Sequence, residues 1–314
     1  MGRPLRIEYP DAFYHITARG NEQQDIFRNN KDRERFLGYL ESASERYKAI
    51  IHTYCLMDNH YHILLQTPAG NLSQIMHHIN GAYTNYFNTK RKRAGHLFQG
   101  RYKALLVDID EYAQELSRYI HLNPAKAGMV EKPEEYKWSS YQDYIGFNKS
   151  PDWLFTDFVL SLFDRELSVA RKQYRKFVES MVNIEYESPL KNVFASTILG
   201  GSNFINEIRE KYLDTKKPDR DLPDLKHFHE IPDVEDIMKQ TAKAFDEDAA
   251  LLKRVQIYLF HKFSGQKLKD IGVHFGIGVS GVSQTSRRVA MQIRNDKRLK
   301  KKVDKLILDL GLST

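Results

Sequence analysis

This 314-residue chain is nearly without cysteine, Cys55 being the only one. That excludes an intramolecular disulfide and fits a reducing cytoplasm. No apolar run reaches transmembrane length. The opening stretch, MGRPLRIEYP, has no apolar h-region, so no secretory signal is expected. Internal repeats and low-complexity tracts are also missing. What remains is a chain with 41% hydrophobic residues, long enough for two or three domains with real cores.

The net charge of +7 is unevenly spread. Residues 1–130 carry +4, residues 131–250 carry −7, and residues 251–314 carry +10. A segment of that length and charge points to a polyanionic partner or to a solvated lysine-rich helix. The three-way split suggests separate modules. A soluble nucleoid-associated location follows from a polyanion partner, and no membrane partner is expected.

The stretch DAFYHITARG alternates, with Phe13, His15, Thr17 and Arg19 on one face, and reads as a strand. NNKDRERFLGYLESASERYK reads as a helix with Asn30 as N-cap. AIIHTYCLM and HYHILLQT are strands joined by Asp58-Asn59, a hairpin signal. NLSQIMHHINGAYTNYFNTK is helical by period, and HLFQGRYKALLVD is a strand with a bend at Gly100. DEYAQELSRYIHLN is a helix stopped by Pro124. The order β-α-β-β-α-β predicts an α+β, ferredoxin-like split βαβ domain over residues 1–147. Residues 148–228 read as a helical middle region and linker, rich in proline towards its end. Residues 229–314 read as successive helices.

On a strand, residues two apart share a face, so His60 and His62 project together with Tyr61 turned away. Two imidazoles on one face suit a divalent ion, and they equally suit half-buried packing. A second pair, His227 and His229, lies in a proline-broken charged segment and gets the packing reading. Tyr119 and Asn123, at i and i+4, share a helical face. A tyrosine hydroxyl is a nucleophile, and a cation beside it favours the phenolate. Together, two histidines, a tyrosine and an amide make a site for covalent phosphodiester transfer. Tyr119 is otherwise one of 18 tyrosines, and an ordinary core tyrosine fits it too.

YCLMDNHYHILL resembles the signature of HUH endonucleases of the single-tyrosine transposase kind, especially the REP-associated tyrosine transposases. YHITARGNEQQDIF, GHLFQGRYKALLV, SRYIHLNPAKAGMV and EYKWSSY resemble the same family, in order, over about residues 8–145. The resemblance implies that His60, His62 and Asn123 bind Mg²⁺ or Mn²⁺. It implies that Tyr119 attacks single-stranded or hairpin DNA to form a 5′-phosphotyrosine, leaving a free 3′-hydroxyl. The bond energy is kept in that link, so no nucleotide cofactor is expected. Relatives often carry proline before the motif asparagine. Asp58 stands there in this chain, which alters the turn and leaves the ligands in place. The resemblance allows a monomer or a homodimer.

Other polar residues gain candidate roles in gripping phosphates. Gln99, Arg101 and Lys103 alternate along the last strand, Arg19 ends the first, and Arg3 and Arg6 precede it. Each reads equally well as a solvated charge. His15, on the face of Thr17, either lines the site or packs in the strand. Near the C-terminus, LKDIGVHFGIGVSGVSQTSRRVAMQI has helix-turn-helix spacing. One helix runs Leu268 to Phe275, Gly276 turns, and a second opens at Val279-Ser280 with Val282, Val289 and Ile293 facing inward. Ser283, Gln284, Thr285, Arg287 and Arg288 then fall on its outer side, suited to duplex DNA. A plain helical bundle with a basic surface is the other reading. The stretch resembles the duplex-binding domain of the DnaA replication initiator over about residues 231–310. It has GVSGVSQ where that domain carries an acidic-histidine sequence, so the resemblance implies the fold and not the sequence specificity.

The expected activity is therefore metal-dependent cleavage and rejoining of single-stranded DNA. The competing reading is a domesticated DNA-binding regulator that keeps the fold as a scaffold. A relaxase or Rep nickase is the enzyme alternative. The tyrosine-helix and WSSY segments favour the transposase branch.

Overall fold

The computed structural model describes residues 6–182, 184, 188–194, 196–212, 234–245, 248–264, 266 and 268–310. Arg3, His227 and His229 lie outside the described residues. The chain divides into two compact units, residues 6–193 and residues from 194 onward.

The first unit is a mixed α+β fold in the predicted order. Strand β1 (Ala12–Arg19) is followed by α1 (Asn30–Tyr47), β2 (Ile50–Leu56), β3 (His60–Thr67), α2 (Leu72–Lys90), β4 (Lys103–Val107) and α3 (Ile109–Lys126). Strands β2, β3, β1 and β4 lie side by side in that order, all antiparallel. This is the split βαβ sheet. Tyr61 turns to the face covered by α1 and α2, where it packs on Phe36 at 4.8 Å and donates its hydroxyl to Asn80 Oδ1 at 2.7 Å. The opposite face carries His60 and His62 and lies under α3. Asp32, fully buried in the first turn of α1, holds Lys90 and Arg91 at the end of α2, and those partners keep its carboxyl below the usual range.

Short helices α4 (Tyr141–Tyr144) and α5 (Asp157–Ser161) lead into α6 (Leu167–Glu179). Leu122 of α3, Tyr141, Tyr144 and Tyr174 share one core, so the boundary expected at residue 147 falls inside this unit. The WSSY segment runs along the outer edge of β2. There the Leu56 N–H donates to the Trp138 carbonyl at 2.9 Å, and the Ser140 N–H donates to the Tyr54 carbonyl at 3.0 Å. An open strand edge is thereby covered.

Three local expectations change. The N-cap of α1 is Asn29 rather than Asn30, its side chain accepting from the Asp32 N–H at 3.1 Å. The last strand begins only at Lys103, because Gly100 has φ +70° and breaks the extended run. Gln99 and Arg101 therefore flank a bend and do not alternate with Lys103 along a strand. Pro124 does not stop α3, which continues to Lys126. A proline leaves the carbonyl four residues back without its helical donor. Here that carbonyl is Ile120, and the Asn123 side-chain amide donates to it at 3.4 Å.

After short strands β5 (Val193–Phe194) and β6 (Ile198–Leu199), the second unit is helical. It holds α7 (Ser202–Tyr212), α8 (Val234–Ala244), α9 (Ala249–Phe263), α10 (Leu268–Phe275), α11 (Val279–Asn295) and α12 (Lys297–Asp309). Helices α8 to α12 share a core that includes Phe260, Ile271, Val282 and Val289. Gly276, at φ +66°, makes the turn between α10 and α11, as a left-handed position requires.

Two buried histidines that are not metal candidates make the first unit sensitive to acid. Burial lowers His52 to about 4 and His121 to about 3, against about 6.5 unfolded. A depressed folded value means that the stability is complete above the unfolded value and is lost as pH falls through the folded one. Urea denaturation should show stability dropping between about pH 6.5 and 4, by about 1.4 kcal/mol per pH unit for each such histidine. His52→Gln should make that slope shallower by one such contribution.

Candidate active site

The site is assembled from β1, β3 and α3. In the β1–β3 register Arg19 sits opposite His60, and Thr17 sits opposite His62. Opposed residues share a face. The His60 and His62 rings lie 5.1 Å apart, nearly perpendicular at 77°. Tyr119 of α3 stands edge-on to His62, with ring centroids 5.7 Å apart, and edge-on to His15 at 6.1 Å. The tyrosine helix thus lies against its own sheet.

The hydrogen bonds fix which histidine nitrogens remain open. His60 Nδ1 is 2.6 Å from Asn59 Oδ1. An amide oxygen only accepts, so Nδ1 carries the proton and the lone pair sits on Nε2. His62 Nδ1 faces His15 Nε2 at 3.0 Å, and the two rings stack at 5.2 Å and 7°. His15 is thus packed beneath His62, and its own Nδ1 is buried without a partner among the described residues. Burial keeps His15 neutral, at about 3, and holds His62 well below its ordinary value. Burial, reinforced by the Arg19 guanidinium, lowers His60 to about 4. All three imidazoles are therefore neutral at neutral pH, as ligation requires.

Asn123 lies one turn beyond Tyr119. Its Nδ2 donates to the Tyr119 carbonyl at 2.8 Å and to that of Ile120, leaving Oδ1 as its free end. Two imidazoles and an amide oxygen fit a divalent ion whose remaining positions are filled by water or phosphate. The pattern of Nδ1 held and Nε2 open is the outer-shell arrangement of metal-ligating histidines. Among the described residues, no group of three or more histidine, cysteine or acidic side chains is placed to hold a metal. The Tyr119 phenol is pushed up by burial, partly offset by a hydrogen bond with Ser188. The protein by itself therefore keeps the phenol protonated.

The other predicted residues are scattered. Arg19 and Lys103 are exposed, Arg19 beside His60 and Lys103 opposite Thr17. Gln99 and Arg101 are exposed in the bend, where the Gln99 N–H donates to the Arg19 carbonyl at 2.8 Å. Arg6 is folded onto the Tyr102 ring at 4.0 Å. In the second unit Ser283, Gln284, Arg287 and Arg288 are exposed on α11, and Thr285 is half-buried.

Sequence reasoning missed His121 and Ser188. His121 is fully buried, its Nδ1 2.6 Å from the Tyr174 hydroxyl and its Nε2 2.8 Å from Ser140 Oγ. Its position between Tyr119 and Asn123 was the only available signal, since both partners are distant in the chain. Asp58, in the turn before β3, pairs with Arg33.

Residues 8–123 match the family described as transposase IS200 like, a little over a third of the chain. No curated protein matches. Among solved structures, a REP-associated tyrosine transposase bound to a REP hairpin is similar at 15% identity and a TM-score of 0.42. That similarity covers 50% of this chain and 93% of the other.

His15 offers a direct test of the ligand arrangement. If His62 binds through Nε2, its Nδ1–H must donate to His15 Nε2. Calorimetric titration should then show Mn²⁺ affinity falling about 10- to 100-fold in His15→Phe, which keeps the ring and loses the acceptor. His15→Gln, whose amide oxygen accepts, should retain most of it. Equal affinity in the Phe variant would leave His15 a packing residue only.

Proposed function

We propose that this chain is a transposase-type DNA-processing enzyme that cleaves and rejoins single-stranded DNA, at hairpins, through Tyr119. The observation that carries this reading is the convergence of Tyr119 from α3 on the neutral His60–His62 pair from β3, with Asn123 one turn further on. The family match over residues 8–123 supports DNA transposition as the setting.

In the proposed reaction the Tyr119 oxygen attacks a backbone phosphorus. A tyrosyl O–P bond forms, the P–O3′ bond breaks, and the phenolic proton ends on the departing 3′-hydroxyl. The 5′-phosphate remains on Tyr119. A 3′-hydroxyl from a second strand then attacks the same phosphorus, restoring the phenol. One phosphodiester is exchanged for another, so no external energy source enters. His60, His62 and Asn123 would hold Mg²⁺ or Mn²⁺, which polarises a phosphoryl oxygen and favours the phenolate that burial opposes. His60 and His62 stay neutral, and His60 keeps its lone pair on Nε2. Arg19 and Lys103, with Gln99 and Arg101 in the bend, would hold the strand. Arg3 and Arg6 complete the proposed contacts.

The second unit is proposed to bind duplex DNA with α11 in the major groove, as a DnaA-like helix-turn-helix. The +10 charge of its residues 251–314 and the exposed Ser283, Gln284, Arg287 and Arg288 support this. Half-buried Thr285 stands at the edge of that face.

Tyr119→Phe should abolish the covalent protein–DNA adduct on denaturing gels while single-strand binding stays within about twofold, since only the attacking oxygen is removed. An adduct in the Phe variant would show that another residue is the nucleophile. For the second unit, Arg287→Ala with Arg288→Ala should weaken duplex binding. It should also reduce the slope of log K against log salt by about two, one for each lost phosphate contact. Filter binding over a salt series reads both, and an unchanged slope would rule these arginines out as phosphate contacts.

A further inference from the structure

A recess lies in the first unit, away from Tyr119. It is a cleft of about 480 Å³ between α2 and the loop that leads into β4. Its walls include Asn80, Thr84, Asn85 and Asn88 from α2, with His96 and Phe98 from the loop. The α2 residues fall at i, i+4, i+5 and i+8, a single helical face. Neither wall carries an acidic, lysine or arginine side chain, and the α2 wall presents three side-chain amides, of Asn80, Asn85 and Asn88. Asn88 Nδ2 donates to the Gly95 carbonyl at 3.0 Å and braces the loop, while its Oδ1 has no partner among the described residues.

The surroundings differ sharply from the walls. Between Asp58 and Asp108 the sequence contains no aspartate or glutamate, and its formally charged residues are all lysine or arginine. Lys92 and Arg101 are exposed in the loop that borders the cleft, and Arg93 is tied to the loop by donating to the His96 carbonyl at 3.1 Å. A neutral, amide-lined recess bordered by lysine and arginine matches a ligand with a neutral planar body and an anionic tail. A nucleotide has that form. The volume is within the range of small-ligand sites.

The position also fits. Phe98 forms a β-bridge with Gly20, and the Gln99 N–H donates to the Arg19 carbonyl. The loop wall of the cleft therefore adjoins the end of β1 where Arg19 faces His60. We propose that this cleft holds one nucleotide of the single strand being processed. The base sits among the α2 amides and against His96, and Lys92, Arg93 and Arg101 hold its phosphates. This rests on the DNA-processing reading and adds a site where a base is selected.

The test uses full-length protein carrying Tyr119→Phe, without metal, so that binding is read apart from any chemistry. Thr84→Leu with Asn85→Leu fills the cleft from α2. Fluorescence anisotropy with a short random-sequence single strand should show Kd rising about tenfold or more, the effect of losing one held base. A blunt duplex of equal length should bind as before. Ultraviolet crosslinking of strands containing 5-iododeoxyuridine should place adducts on His96 or Phe98, and the cleft-filled protein should lose them. Should the double variant fail to fold by circular dichroism, Asn85→Leu alone, at an exposed position, decides on the same readouts. Unchanged single-strand affinity with crosslinks elsewhere would overturn the proposal. Failure of the phosphotyrosine reading would instead appear as absence of adduct in the protein with Tyr119 intact, leaving these binding readouts unaffected.

Discussion

The candidate site depends on how α3 is rotated about its axis, and a buried imidazole sets that rotation. His121 is two residues from Tyr119 and two from Asn123. At about 100° per residue, side chains two apart project to nearly opposite sides of a helix. His121 is held by Ser140 beside the β2 edge and by Tyr174 of α6. With that side fixed, Tyr119 is turned to the histidines of β3, and Asn123 follows one turn further on the same face. Ser140 Oγ also accepts the Tyr54 N–H at 3.0 Å, so the anchor reaches into the sheet itself. A buried group stripped of its partner costs about 1–3 kcal/mol. The helix therefore cannot roll without losing several such bonds together.

The two faces of β3 divide the labour. Tyr61 packs with Phe36 and Tyr83 into the aromatic core beneath α1 and α2. Its neighbours His60 and His62 face the reactive side. The aromatic side makes the strand rigid, and rigidity lets two ring nitrogens keep a fixed separation. Asp32 acts at a distance in the same way, locking the start of α1 to the end of α2.

Much of this was legible in the sequence because strand and helix periods are strong signals. The bounds of β3 and of α10 follow from alternation, turn residues and helical spacing alone. The pairing of Tyr119 with the histidines needed the family likeness, since no spacing rule brings residue 119 to residue 62. What stayed hidden was carried by long-range polar contacts. Ser188 beside Tyr119, and Ser140 with Tyr174 around His121, have no local pattern. The bend at Gly100 was legible, but the late start of the last strand, at Lys103, was not. A glycine inside an alternating run fits an extended or a left-handed backbone equally well, and only the neighbouring chain decides.

The Asn123–Pro124 pair has a consequence for charge. Pro124 deprives Ile120 of a donor, and the Asn123 amide nitrogen serves both that carbonyl and Tyr119's. An aspartate at this position would set carboxylate oxygens against two carbonyl oxygens. The helix backbone thus demands an amide here, whatever a cation would prefer. Two neutral imidazoles, a phenol and an amide then form a centre with no formal charge of its own. A phosphodiester entering it meets no acidic group among these four side chains, and a cation finds no anion there to hold it. Each supplies the charge that the other lacks. Under the proposed reaction, cation and nucleic acid would be thermodynamically coupled at this centre, each raising the affinity for the other by the same factor.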